Sequence, residues 1–232
     1  MPDALYGTDQ PGQFTALHAE IARYYTGKVV AHGPTPLGVD WSCMPTQHLR
    51  FVQLLKVREA TSPCTINDLG CGYGALLSFI GQRFPGQNID YLGIDISQAM
   101  VEAARRQWDG REGARFETAS EFDRVADYTV ASGIFNVKLD QPEDAWIAHI
   151  QATLTHMRAV SRLGYAVNFL TQQPSTSRGE SEIYRADPGL WRSFCEDVLG
   201  SQVIVLSDYG MREHTLIARM YQASEGPQSA VS

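Results

Sequence analysis

Only four cysteines occur in the 232 residues, at positions 43, 64, 71 and 195. No two have C-x-x-C spacing and no Cys/His cluster has zinc spacing, so neither a disulfide framework nor a metal site is expected. The thiols read as small buried or half-buried groups in a reducing compartment, which implies a cytoplasmic protein. Basic residues are also few: 19 Lys and Arg stand against 26 Asp and Glu, a net charge of −7. That balance argues against a broad nucleic-acid-binding surface and leaves room only for a local basic groove. No apolar run approaches the roughly 18 residues of a membrane span. The first 13 residues are polar, with Pro2 and Pro11, and lack the basic start and apolar centre of a signal peptide. No internal repeat interrupts the chain.

What is present suits one domain with a real core. Residues 1–60 read as a loose leader, to about residue 12, and a helical cap. Residues 61–223 read as the core and 224–232 as a flexible tail. In the cap, Phe14, Leu17, Ile21 and Tyr24/Tyr25 mark a helix over 14–27, and Thr46 to Val57 reads as a second. Between them, His32 to Trp41 has too many Gly and Pro for regular structure, yet holds a tryptophan that is costly to expose. From Cys64 strands and helices alternate, which implies right-handed βαβ units and a mostly parallel sheet. Ser97 and Asp187 read as helix N-caps, Asp187 with Pro188 behind it and Gly200 past the helix end. Trp146, Ile150, Leu154, Met157 and Val160 form the core stripe of a long helix, with His149 and His156 expected on its solvent side. The polar stretch from Thr171 to Arg185 reads as a long loop of the kind that forms lids.

The most informative stretch is Ile66-Asn67-Asp68-Leu69-Gly70-Cys71-Gly72-Tyr73-Gly74. It reads as a buried strand, a tight glycine turn and a helix start. The glycines let backbone approach a ligand, and the helix N-terminus offers unpaired N–H groups. Gly70, Gly72 and Ala75 also fit the dinucleotide pattern G-x-G-x-x-G/A. Asp68 tips the reading, because an acid beside the turn repels a pyrophosphate and favours a sulfonium or an ammonium. A second acid, Asp95, ends the next apolar run. Two strand-end acids flanking a glycine turn suit a ligand with a positive centre and a ribose diol, as in S-adenosylmethionine (SAM).

Asn67–Gly74 resembles the first motif of the class I SAM-dependent methyltransferase superfamily, and Gly93-Ile94-Asp95-Ile96-Ser97 resembles the second. The order of elements is similar over roughly residues 60–221. The resemblance implies an α/β fold: a Rossmann-like, seven-stranded, mostly parallel sheet with helices on both faces, an antiparallel C-terminal strand and an N-terminal helical cap. It implies SAM as cofactor and S-adenosylhomocysteine (SAH) as product. The turn Gly70, Cys71, Gly72 and Gly74 would approach the methionine part, Asp95 the ribose hydroxyls, Ile96 the adenine and Asp68 the ammonium. Where many relatives place an adenine-binding Asp, this chain has Ala119-Ser120-Glu121-Phe122, so Ser120 and Phe122 become the candidates. Arg50, ahead of Lys28, is the candidate for the cofactor carboxylate.

Ser132 to Lys138 occupies the position where acceptor and methyl group meet in that family. The Asn/Asp-Pro-Pro-aromatic motif of many nucleobase methyltransferases does not occur there. Asn136 could hydrogen-bond an acceptor or simply form a turn. Among the histidines, His32 is the candidate catalytic group, because it lies in the cap segment expected to fold over the site. No catalytic base is assigned. The reading is a methyltransferase acting on a small molecule, with O-methylation ahead of N-methylation. The alternatives are a protein or nucleic-acid methyltransferase, an NAD-dependent oxidoreductase and a non-catalytic SAM-binding protein.

Overall fold

In the computed structural model, residues 14–58, 63–172 and 182–221 are described. The leader to residue 12, the middle of the stretch between Thr171 and Arg185, and the tail from 224 lie outside them. Strands β1 (Cys64–Leu69), β2 (Ile89–Asp95), β3 (Ala114–Thr118), β4 (Ala126–Ala131) and β5 (Ser161–Leu170) pair in parallel. Strand β7 (Glu213–Arg219) inserts antiparallel between β5 and β6 (Gln202–Leu206), giving the order β3-β2-β1-β4-β5-β7-β6. This is the seven-stranded sheet the resemblance implied. The order reverses between β1 and β4, where α/β sheets bind ligands beyond their carboxyl ends. Leu69 is in register with both Ile94 and Ala131, so three strand ends open on the same place.

Side chains alternate between two cores, one on each face. Leu69, Tyr165, Val167 and Phe169 join Trp146, Ile150 and Leu154 on one face. Ile66, Tyr128 and Ala166 join Phe51, Leu76 and Ile80 on the other. The inner strands β1, β2, β4 and β5 are buried on both faces over most of their length, whereas the edge strand β3 buries only Phe116.

The connections follow local chemistry. Gly70, Gly72 and Gly74 have φ of 69°, 54° and 83°, the left-handed region glycine enters without strain. They end β1 and start α3 (Ala75–Arg83). Ser97 caps α4 (Gln98–Gln107) by accepting from Met100 N, and Asp187 caps α6 (Pro188–Ser193) by accepting from Gly189 N. Both are the caps the sequence announces. The α6 segment does not run on regularly towards Gly200. It widens into a π turn over Phe194–Val198, and Leu199 N bonds back to Phe194 O.

Two expectations about helices are corrected. Helix α1 (Thr15–His32) passes through Gly27 and stops only at Gly33, whose φ is 68°. One interior glycine costs about 1 kcal/mol relative to alanine, and Val29, packed with Tyr73, Met100 and Ala103, offsets it. The cap segment also holds a regular piece, a 3-10 turn at Pro36–Val39. Second, His149 lies on the buried side of α5 (Glu143–Ala159), not its solvent side. The link between β3 and β4, 119–125, is a short irregular turn, and α1 covers the face beside it. Leu17 and Ile21 of α1 pack with Phe122, Phe135 and Trp146. That cover turns a nominal surface position of α5 into an interior one.

Helix α2 (Met44–Leu54) starts two residues before its expected place, with Pro45 in its first turn, and continues as a 3-10 turn to Val57. Its Phe51 and Leu54 belong to the same core as β1. Cys43 is exposed, Cys64 half-buried and Cys71 and Cys195 buried, all as free thiols. Among the described residues no helix is long and apolar enough to cross a membrane.

Candidate functional site

The carboxyl ends of β1, β2 and β4 border a cavity of about 230 Å³. Gly70 and Gly72 form one wall, Asp95 and Ile96 the next, and Ala119 and Ser120 a third. The segment Ser132–Val137 closes the side toward β5. The roof comes from α1, through His18, Ile21 and Tyr25, and from the strap Val39-Asp40-Trp41. A smaller recess of about 50 Å³ adjoins it, bordered by Asp68, Cys71, Gln47 and Tyr73. Trp41, Arg50, Gly70, Gly72 and Ser132 line both.

Asp95 is 8% exposed. Gly72 N donates to its Oδ2 at 2.9 Å and Ser97 N to its Oδ1 at 2.8 Å. Burial raises its pKa to about 6, against the opposing pull of those two N–H groups. Each carboxylate oxygen keeps a lone pair for a ligand. Asp68 is more deeply buried and accepts from Tyr91 Oη. Burial lifts its pKa to about 7, and the charge of Asp95 adds to the shift, whereas the Tyr91 bond opposes it. Two desolvated acids beside one turn make a site that favours a cation.

The guanidinium that lines both spaces is paired with a third acid. Arg50, on α2, forks onto Glu213 of β7: Nε donates to Oε2 at 3.0 Å and Nη2 to Oε1. The Trp41 ring lies 3.7 Å from the guanidinium carbon. A Cβ at Gly133 would sit 2.5 Å from Nη1, so glycine there makes room for the third arm of the guanidinium.

The remaining candidates divide. Ile96, Ser120, Ser132 and Asn136 are on the cavity walls. Asn136 is anchored by its backbone, whose carbonyl accepts from Tyr184 N at 2.8 Å. Its Oδ1 is buried and has no hydrogen-bond partner among the described residues. Cys71 borders the recess but packs under Gly93, and burial holds its thiol well above the ordinary value. Gly74 lies off both spaces; a Cβ there would meet the Trp108 ring. Phe122 is in the core, and its N–H donates to His156 Nε2 at 2.9 Å. His32 is the exposed last residue of α1 and lies off the cavity wall. Lys28 is paired with Asp40 at 2.6 Å.

Sequence reasoning missed His18 and His149, whose rings meet edge-on at 5.1 Å on the wall. Burial lowers the pKa of His149 to about 3 and pulls His18 down as well, so both imidazoles are neutral near pH 7. It also missed Thr153 and Glu213. His149 and Thr153 are i and i+4 on α5, a spacing that would have grouped them once one faced inward. Nothing local signals Glu213, which is 163 residues from Arg50.

The acids, the glycine turn and Arg50 fit a ligand carrying a cation, a diol and a carboxylate, and would repel a pyrophosphate. Comparison with known proteins agrees. A family profile described as a methyltransferase domain matches residues 67–159. A Mycobacterium tuberculosis protein whose name assigns it provisionally to the methyltransferases is 44% identical over 165 residues, 71% of this chain and 98% of that one. The malonyl-[acyl-carrier protein] O-methyltransferase of a Paenibacillus species is 23% identical over 132 residues, 55% of this chain and 47% of its own length. Among solved structures, the magnesium protoporphyrin IX methyltransferase of Synechocystis PCC 6803 with bound SAM has the same fold. Its TM-score is 0.53 at 16% identity, covering 93% of this chain and 88% of that one.

Proposed function

This chain belongs to the class I SAM-dependent methyltransferases, and we propose that it methylates a small, largely apolar acceptor, on oxygen ahead of nitrogen. The observation that carries this is the cavity itself. Most of its lining is apolar: Ile134, Val137, Leu170 and Ile183 lie below Ile21 of the helical roof, with Asn136, His149 and Thr153 as scattered polar groups. The preference for oxygen rests on the O-methyltransferase named among the relatives.

When bound, SAM supplies a methyl group on a sulfonium, open to in-line attack. The chain's own residues would bind and orient. Asp95 would accept from the ribose hydroxyls, and Ile96 would cover the adenine with Ser120 at its edge. The backbone of Gly70 and Gly72, with Ser132 nearby, would border the methionine part. Asp68 would attract the ammonium and Arg50 the carboxylate. Cys71 and Gly74 would shape the turn, and Phe122 would hold the loop after β3 through His156. Asn136 Oδ1 would accept a hydrogen bond from the acceptor's O–H or N–H and so turn a lone pair toward the methyl, with the proton passing to water on transfer. Positioning of this kind can supply most of the rate of a displacement.

The test is calorimetry of SAH and NAD, followed by incubation of a panel of apolar hydroxy, carboxy and amino compounds with methyl-labelled SAM. SAH should bind and NAD should not, and label should move into the small-molecule fraction. Label found only in added protein or nucleic acid would overturn the acceptor class. Binding of NAD in place of SAH would overturn the cofactor.

A further inference from the structure

We infer that Glu213, on a strand outside both cofactor motifs, is the residue that positions Arg50 to bind the carboxylate of the cofactor's amino-acid end; this rests on the SAM reading above. A guanidinium has five N–H donors in a rigid fork. Glu213 takes the Nε–Nη2 edge of Arg50, and the pair is almost completely buried, with side chains 6% and 2% exposed. Trp41 takes one face at 3.7 Å. The Nη1 end is left to point along the space cleared by Gly133. Three contacts from β7, the strap and the segment after β4 therefore fix one orientation of one cation.

The location gives that orientation a use. Arg50 and Asp68 border the same small recess. A recess with an acid on one side and a guanidinium on another matches an α-amino acid, whose ammonium and carboxylate are one carbon apart. Glu213 serves this match in two ways. It offsets the cost of a buried guanidinium before the ligand arrives. It also keeps Arg50 from turning onto the acids that border the recess and the cavity: Asp68, Asp95 and Asp40. A guanidinium spent on Asp68 would remove both halves of the amino-acid subsite at once.

The test compares two ligands by calorimetry: SAH and 5′-methylthioadenosine, which keeps the nucleoside and thioether but lacks the amino-acid end. Wild-type binding of SAH checks the cofactor reading; if wild type binds neither ligand, that reading falls and this inference with it. Given wild-type binding, Glu213→Gln should weaken SAH roughly ten- to hundredfold, the range for hydrogen bonds to charged groups, and leave methylthioadenosine within about twofold. Equal weakening of both ligands would make Glu213 a structural residue. No weakening of SAH would mean that Arg50 needs no positioning. Either result overturns the inference. Glu213→Asp, which keeps the charge with a shorter reach, should recover part of the loss. Arg50→Lys, which keeps the cation but loses the fork, covers the case in which Glu213→Gln does not fold. It should show the same SAH-selective loss, and an unchanged ratio of the two affinities would overturn the proposal.

Discussion

Gly72 N donates to Asp95 Oδ2 at 2.9 Å, so the middle glycine of the turn after β1 and the acid ending β2 are one unit. The two family motifs meet through this bond. A ligand that engages Asp95 is therefore held at a fixed place relative to the turn.

Replacing Asp95 by alanine should weaken SAM by roughly 1.5–3 kcal/mol, the range for hydrogen bonds to a charged group. It should also cost some stability, since Gly72 N and Ser97 N both lose their acceptor. Calorimetry with SAH, on a variant shown to be folded by circular dichroism, decides the matter. Unchanged affinity would remove Asp95 from the site.

Gly72 is more constrained than a ligand-facing glycine needs to be. Its φ is 54°, and an added Cβ would lie 3.0 Å from Val39 Cγ1 of the strap. Gly72→Val should therefore lose cofactor binding and also lower the melting temperature, with backbone strain of about 1–3 kcal/mol. A variant that binds SAH normally would show that backbone approach at this point does not matter.

Cofactor binding should release protons near neutrality. Burial raises Asp68 to about 7 and Asp95 to about 6. A sulfonium and an ammonium favour the ionised carboxylates, so binding pulls both pKa values down. Affinity for SAM should then rise as pH increases through 6 to 7 and level off above. Calorimetry at pH 6.5 in buffers of different ionisation enthalpy should register the released protons, and Asp68→Asn should remove most of the signal. Binding with no proton exchange across this window would contradict the assignment.

His149 should govern part of the acid sensitivity of the fold. Its folded pKa is about 3 against an unfolded value near 6.5, because its ring is buried among Phe14, His18, Phe135 and Trp146. Its contribution to stability is present above about 6.5 and is lost as pH falls, since the unfolded chain takes up the proton first. Asp68 and Asp95 act in the opposite direction: their folded values are raised, so their contribution is full below about 4 and lost as pH rises through about 6 to 7. Comparison with wild type isolates the histidine. His149→Phe should shift stability at pH 8 relative to pH 5 downward by about 2 kcal/mol compared with wild type, 1.5 pH units at 1.36 kcal/mol each. Denaturant unfolding at both pH values measures it, and an unchanged difference would mean that the imidazole is not held neutral.

The parts of this protein that sequence alone determined are those set within a few residues of chain. Gly70, Gly72 and Gly74 take left-handed backbone that only glycine adopts cheaply, so they mark the turn wherever the chain later goes. Ser97 and Asp187 cap helices because their oxygens reach N–H groups two or three residues on. Asp68 and Asp95 end apolar runs that must be buried strands, so both acids fall at the same sheet edge. Tertiary structure decided the rest. Whether His149 faced solvent or the cavity depended on the start of α1, over 100 residues earlier, whose Phe14 and His18 rings meet its imidazole. Gly27 looks like a helix end until Val29 finds Tyr73 and Met100 to pack on. Glu213 and Arg50 carry no local sign of each other, because β7 enters the sheet beside β5 only after the chain has passed the site once. Backbone conformation is chosen by near neighbours, whereas the burial of a side chain, and with it the charge state of His149 and the partner of Arg50, is chosen by whatever distant segment covers it.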